Sequence, residues 1–228
     1  MSGLVPGAAP SSRHGDEARE FVLEGGAVRL EPMQLGHAEG LFEAATEDRS
    51  TFGFTWVPSD RAAMTAYVEQ AIAHRDEGEQ VPFAIRSRQD ERIVGSTRFY
   101  DLTPWDWSFL PSALASEQRH ERPDVASIGA TWLAPSVQRS AINTEAKVLM
   151  MTYAFEDWGV RAVRLITDAR NERSRAAIER LGCTLDGVLR ADRPAADGEV
   201  RDSAVFSMLA SEWPEHKARL VALLAERT

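Results

Sequence analysis

This chain has almost no cysteine. Its single thiol, Cys183, excludes an internal disulfide framework and any multi-cysteine zinc site, and a reducing, cytoplasmic compartment is expected. Cys183 follows Leu181 and Gly182 in an apolar setting and reads as a buried small hydrophobe, with no neighbouring base to activate it. His14, His37, His74, His120 and His216 are scattered without ligand spacing, so no metal is expected. No apolar run is long enough to span a membrane, and the N-terminus lacks the basic start and apolar stretch of a signal peptide. Basic charge is also short: 26 Lys and Arg against 35 Asp and Glu leave a formal net charge of -9. Such a surface repels phosphate, which argues against nucleic acid or an anionic membrane and favours a basic amine, although solubility alone also accounts for the acidity.

What is present suits one sizeable core: 228 residues, 43% hydrophobic and 27% charged. Residues 1–20 are rich in Gly, Pro, Ser and Ala without periodicity, so a disordered tail is expected before a single domain over 21–228. Val28 to Leu30 alternates as a strand. His37 to Thr46 and Asp60 to Ala73 carry apolar residues at helical spacing, with Ser59 or Asp60 as N-cap. Phe83 to Ser87 and Ile93 to Tyr100 read as a hairpin. A loop rich in proline and tryptophan, Thr103 to Asp124, precedes a strand over Ile128 to Leu133 and a helix from about Thr144 to Trp158. Ala162 to Asp168 is the next strand, Ser174 to Leu181 a helix closed by Gly182, and Val188–Leu189 and Ala204 to Leu209 the last strands. Pro214 to Arg227 reads as an amphipathic final helix. This order defines an α/β fold around a mixed sheet.

Two segments carry chemistry. Gln138 to Lys147 joins a strand end to a helix start, where unpartnered N–H groups and the helix dipole form an anion site. Asn171-Glu-Arg-Ser174 stands at the next strand-to-helix junction, and Asn and Ser there are equally the residue types that cap a helix. Neither Gly-x-x-x-x-Gly-Lys nor Gly-x-Gly-x-x-Gly occurs, which sets aside an ATP or dinucleotide enzyme.

Ile128-Gly129, Thr131 to Pro135, Gln138, Asn143 to Lys147, Thr167 to Ser174 and Arg180-Leu-Gly182 together resemble the GNAT superfamily of acyl-coenzyme A N-acyltransferases. The branch they look most like is the ribosomal-protein N-terminal acetyltransferases. The resemblance implies a mixed, mostly antiparallel sheet splayed between its fourth and fifth strands, here Ser127–Leu133 and Ala162–Asp168, flanked by helices. It implies acetyl-CoA or another acyl-CoA as co-substrate, with the pantetheine arm in the gap. The family's Gln/Arg-x-x-Gly-x-Gly/Ala turn maps onto Gln138, Arg139, Ser140, Ala141, Ile142 and Asn143, continuing through Thr144, with Arg139 and Lys147 either as added charge or as solvated helix-face cations. Alanine and asparagine hold its two glycine positions; a methyl at 141 narrows phosphate approach, and any positive φ there costs free energy. Asn171 maps to the residue contacting the pantetheine amides.

Direct attack in a ternary complex is implied, so no acyl-enzyme is needed. N–H groups around Trp132 and Leu133 would hold the oxyanion, and Ser174 would protonate the leaving thiolate. The branch often places Glu where this chain has Ser127, so the base passes to Asp168, Asp124, a water chain or none. An α-amine, with a pKa of about 7.7–8.0 against about 10.4 for lysine, needs less help and is the favoured acceptor. Trp56, Trp105, Trp107 and Phe109 line an acceptor pocket or seal the core. Asp202 meets substrate or pairs with Arg201 or Arg190. Two readings stay open: an N-acyltransferase acting on a small-molecule or peptide amine, and a degenerate member that senses coenzyme A or a small ligand. A homodimer through the aromatic loop or the last helix is also expected.

Overall fold

The computed structural model describes residues 21–111 and 122–226; the expected tail and part of the long loop, 112–121, lie outside them. The chain runs β1 (Leu23–Glu24), β2 (Val28–Pro32), α1 (Ala38–Thr46), α2 (Arg61–Asp76), β3 (Val81–Ser87) and β4 (Ile93–Thr103). It continues through β5 (Val125–Leu133), α3 (Ile142–Thr152), β6 (Ala162–Asp168), α4 (Glu172–Leu181), β7 (Thr184–Pro194), β8 (Val200–Leu209) and α5 (Trp213–Ala225). One open sheet holds all eight strands in the order β1-β2-β3-β4-β5-β6-β8-β7. Every pairing is antiparallel except β5 with β6.

Local signals explain most boundaries. Asp60 caps α2 by accepting from Ala63 N at 2.8 Å, and the stripe Met64, Val68, Ala71 is buried. The expected helix over 144–158 is two pieces: α3, then a π-helical turn over Tyr153–Trp158 that ends at Gly159 with φ 71°. Gly182 closes α4 at φ 100°, and a Cβ there would lie 2.2 Å from the His216 ring. The two last strands are much longer than their apolar runs. β7 lies at the sheet edge and is exposed along nearly its whole length, so Asp186, Arg190 and Asp192 cost nothing there and hide the strand pattern.

Phe21, Phe83, Phe99, Tyr153 and Trp158 form a continuous ring-to-ring chain through the core. Each fully buried large apolar side chain contributes about 1.5–3 kcal/mol. Cys183 is buried and free, its thiol pushed up to about 12 by burial. Among the described residues no helix is long and apolar enough to cross a membrane.

The feature that positions the site is the end of the β5–β6 pairing. Val125, Ala126 and Ser127 pair with Ala162, Val163 and Arg164, and the ladder then stops. On its other flank β5 bulges: Gly129 and Trp132 face Arg98 and Ser96, two intervening residues against one, with Ala130 left-handed at φ 46°. A bulge bends its strand and increases local twist, which carries β5 away from β6. Gly95 makes the close approach possible, since a Cβ on it would sit 2.1 Å from the Trp132 carbonyl oxygen.

Candidate active site

The two segments singled out in sequence meet across the mouth of this gap. Arg173, in the first turn of α4, donates to Gln138 Oε1 at 2.9 Å and to the Thr51 carbonyl at 3.2 Å. Gln138 Nε2 donates to the Leu133 carbonyl at 3.0 Å and contacts Thr51 Oγ1 at 3.3 Å. Gln138 thus ties the end of β5 to α4 and to the short helical turn Arg49–Phe52. Arg173 and Thr51 were not singled out in sequence; Arg173 lies inside the Asn171–Ser174 segment, but only packing reveals its direction.

The turn spares Ala141 the positive φ that would cost free energy there. Ala141 is the residue before α3 and has φ -67°, ψ -22°, an ordinary right-handed conformation. The left-handed position falls on Arg139, at φ 63°. Ile142, Asn143 and Thr144 form the first helical turn, Ser140 Oγ accepts from Ile142 N at 3.3 Å, and the Ala141 position supplies no side-chain cap. Glu145, in the same turn, would repel an anion, but its carboxylate accepts from the N–H groups of Gly26, Ala27 and Val28 at 2.7–2.9 Å.

Lys147 corrects the sequence reading. Its ammonium does not reach toward the turn: the side chain is 4% exposed, and Nζ donates to Thr131 Oγ1 of the β5 bulge at 2.6 Å and Thr97 Oγ1 of β4 at 3.1 Å. Burial pushes this lysine down to about 7. The signal was present, because Lys147 shares the helical stripe of Met150 and Ala154, both fully buried.

Asn171 caps α4, its Oδ1 accepting from Ser174 N at 3.0 Å. Ser174 is half-buried in that first turn, beside the cap. Trp132 and Leu133 are buried at the end of β5, beyond the last β6 pairing, with the indole edge-on to Phe52 at 6.0 Å.

Asp168, expected as a base, is engaged. Arg170 hydrogen bonds to it at 2.7 and 3.0 Å and holds its carboxyl below the ordinary value, and the residue is 2% exposed. A carboxylate so held is a weak, screened base. Asp124 is spent in the same way, on Arg161 Nε at 3.1 Å and Trp105 N at 2.8 Å. Asp202 caps backbone, accepting from Ala191 N at 2.8 Å, rather than pairing with Arg201 or Arg190. Ser127 lies at the vertex of the gap, buried. A trough of about 680 Å³ lies over the open face of β6, β8 and β7, lined by Trp105, Arg164, Ile166, Leu189 and Val205 among others. On the surface at the end of α2, His74, Glu77 and Glu79 bring one ligand atom each within 4.8 Å, a grouping that counting histidines alone did not suggest.

An open, mostly antiparallel sheet that parts between two parallel strands beside a helix start is the architecture of an acyl-coenzyme A acyltransferase fold. Residues 27–184 match the family model described as an acetyltransferase (GNAT) domain, and the chain belongs to that family. It is similar to YdaF of Bacillus subtilis (strain 168), whose name proposes a ribosomal N-acetyltransferase: 34% identity over 86 residues, 38% of this chain. That match spans less than half of the relative, 46%. A GCN5-related N-acetyltransferase from Brucella melitensis superposes with TM-score 0.76 at 28% identity, covering 90% of this chain and 86% of that one. RimJ of Mycobacterium smegmatis, solved with CoA-disulfide, shares the fold at TM-score 0.70 and 22% identity, covering 90% and 92%.

Proposed function

We propose that this protein transfers an acetyl or other short acyl group from acyl-CoA to a primary amine, with a peptide or protein N-terminal α-amine as acceptor, by direct attack in a ternary complex. The observation that carries this reading is the gap itself: β5 is unpaired by β6 beyond Ser127, and Gln138, at the head of the turn into α3, is tied to Arg173 of α4 at its mouth. An extended pantetheine arm hydrogen bonds to such a free strand flank as a missing strand would. The pyrophosphate then meets the N–H groups of Ser140 to Thr144 and the dipole of α3, with Arg139 nearby. Trp132 and Leu133 supply N–H groups toward the thioester oxygen, Asn171 keeps an amide for the pantetheine, and Ser174 delivers the proton to the departing thiolate. The family membership and the names of the relatives support an acetyltransferase; the α-amine acceptor rests on its lower pKa and the small base machinery.

The sensor reading draws on Ser127, which stands where the branch often has a carboxylate, and on Asp168, expected as a base but engaged by Arg170. Calorimetric titration with coenzyme A, followed by thiol release across amines, separates the two. Binding with acetyl transfer to an N-terminal α-amine is expected. No binding at about millimolar coenzyme, where a free energy of only about 4 kcal/mol would register, sinks the transferase reading and leaves only a sensor of another small ligand, and binding without transfer leaves the coenzyme sensor.

A further inference from the structure

Three carboxylates lie on or next to the strands around the gap, and two, Asp124 and Asp168, are engaged by arginine. The third, Asp101 of β4, has no cation within ion-pair distance among the described residues and is exposed. Strand alternation would turn Asp101 to the opposite face from Tyr100, whose cross-strand neighbour is Ser127. It does not, because β4 carries an extra residue here: Tyr100 faces Ser127 and Thr103 faces Val125, three steps against two. Asp101 itself is left-handed at φ 49°, a conformation that aspartate tolerates better than most residues and that costs free energy. The result is that Oδ2 accepts from Ser127 Oγ at 3.4 Å. Tyr100 packs over Gly129, where a Cβ would lie 2.8 Å from its ring, and its phenol is pushed up first by burial and then by the Asp101 charge. The charged groups facing this phenol from the other wall are Arg193 of β7 and Arg201 of β8.

We infer that Asp101 is the general base of the transfer, its carboxylate brought by a bulge in β4 to the Ser127 hydroxyl at the vertex. This rests on the acyltransferase reading above. The acceptor ammonium gives one proton to Asp101, directly or through Ser127, which passes its hydroxyl proton to Asp101 as it takes the amine's. The freed lone pair forms the N–C bond while the C–S bond breaks, and the thiolate leaves with that electron pair. The second ammonium proton, released as the amide forms, ends on the thiolate, and Asp101 returns its proton to solvent. The 3.4 Å contact is long, as catalytic hydrogen bonds without substrate often are.

The test is thiol release from acetyl-CoA with an α-amine peptide, from about pH 6.5 to about pH 9, for the natural protein, Asp101→Asn and Ser127→Ala, with coenzyme affinity and melting temperature measured alongside. Asparagine is isosteric and suits a left-handed backbone, so folding and coenzyme affinity should hold. At the acid end kcat/KM should fall about 100-fold in Asp101→Asn, the usual worth of a positioned base. That deficit should shrink as the pH passes the amine's own value, about 7.7–8.0, because a free amine needs no base. Ser127→Ala should show a smaller loss of the same pH dependence. An Asp101→Asn enzyme that matches the natural one, that loses the same factor at every pH, or that loses coenzyme binding overturns the assignment while leaving the acyltransferase reading intact. A natural protein that binds coenzyme yet acylates no amine overturns both.

Discussion

At the mouth of the gap the chain offers mostly backbone: the N–H groups at the start of α3, the free flank of β5 and a cap on α4, held in place by Gln138 and Arg173. At the vertex it offers side chains: Ser127, Asp101 and Tyr100 on one wall, with Arg193 and Arg201 facing from the other. The difference matters for what substitution can do. A backbone site survives side-chain change, which is why alanine and asparagine replace the family's glycines at 141 and 143 without a strained φ. A side-chain site depends on which residue stands where, and the proposed base stands on β4 beside Ser127 of β5.

The comparison breaks most visibly at Gly95, where backbone and side chain meet. Gly95→Ala would drive a methyl into the Trp132 carbonyl, so β4 and β5 must separate and the bulge that shapes the gap must shift. A loss of about 2–4 kcal/mol, read by urea denaturation, is expected, together with weaker coenzyme binding. Stability within about 0.5 kcal/mol of the natural protein would show that the close approach is dispensable.

Lys147 sharpens the contrast next, because it is an ionisable residue spent on two threonine hydroxyls, one of them in the β5 bulge. Its folded value of about 7 lies below its ordinary 10.5, so between those limits the unfolded chain holds a proton that the folded one lacks. Stability therefore rises with pH across that window and levels off below it. Lys147→Met should flatten the rise in melting temperature between about pH 7 and about pH 9, and leave coenzyme affinity within about 2-fold. A 10-fold loss of coenzyme affinity in this variant would restore Lys147 to the phosphate site.

The smallest effect is expected at Asn171. Asn171→Ala removes the cap on Ser174 N and should cost about 1 kcal/mol. If the amide also meets pantetheine, coenzyme affinity drops further in Asn171→Ala than in Asn171→Ser, which keeps a cap; equal affinities in the two variants would make the residue a cap alone.

Much of this was legible in sequence, though unevenly. The α2 cap, expected at Ser59 or Asp60 and found at Asp60, the Gly182 stop and the β6 boundaries follow from short-range chemistry. The turn from Gln138 falls between strand and helix as its local pattern predicts, although its last two residues, Ile142 and Asn143, already belong to α3. Lys147 was misread because a cation was weighed by its charge instead of its place on the helix stripe. β7 was cut short because an exposed edge strand needs no apolar alternation.

By itself the sequence determined the order of elements, the strand-to-helix junctions at Gln138–Asn143 and Asn171–Ser174, and a serine instead of a carboxylate at 127. These depend on neighbours within a few residues, and propensity and periodicity report them. Only the tertiary structure decided that Arg170 occupies Asp168, that Thr97 and Thr131 bury Lys147, and that a bulge turns Asp101 to Ser127. Except for the neighbouring Arg170, those partners lie 16 to 50 residues apart in sequence. One extra residue in a strand reverses the face a side chain occupies, which no pattern of period two can foresee.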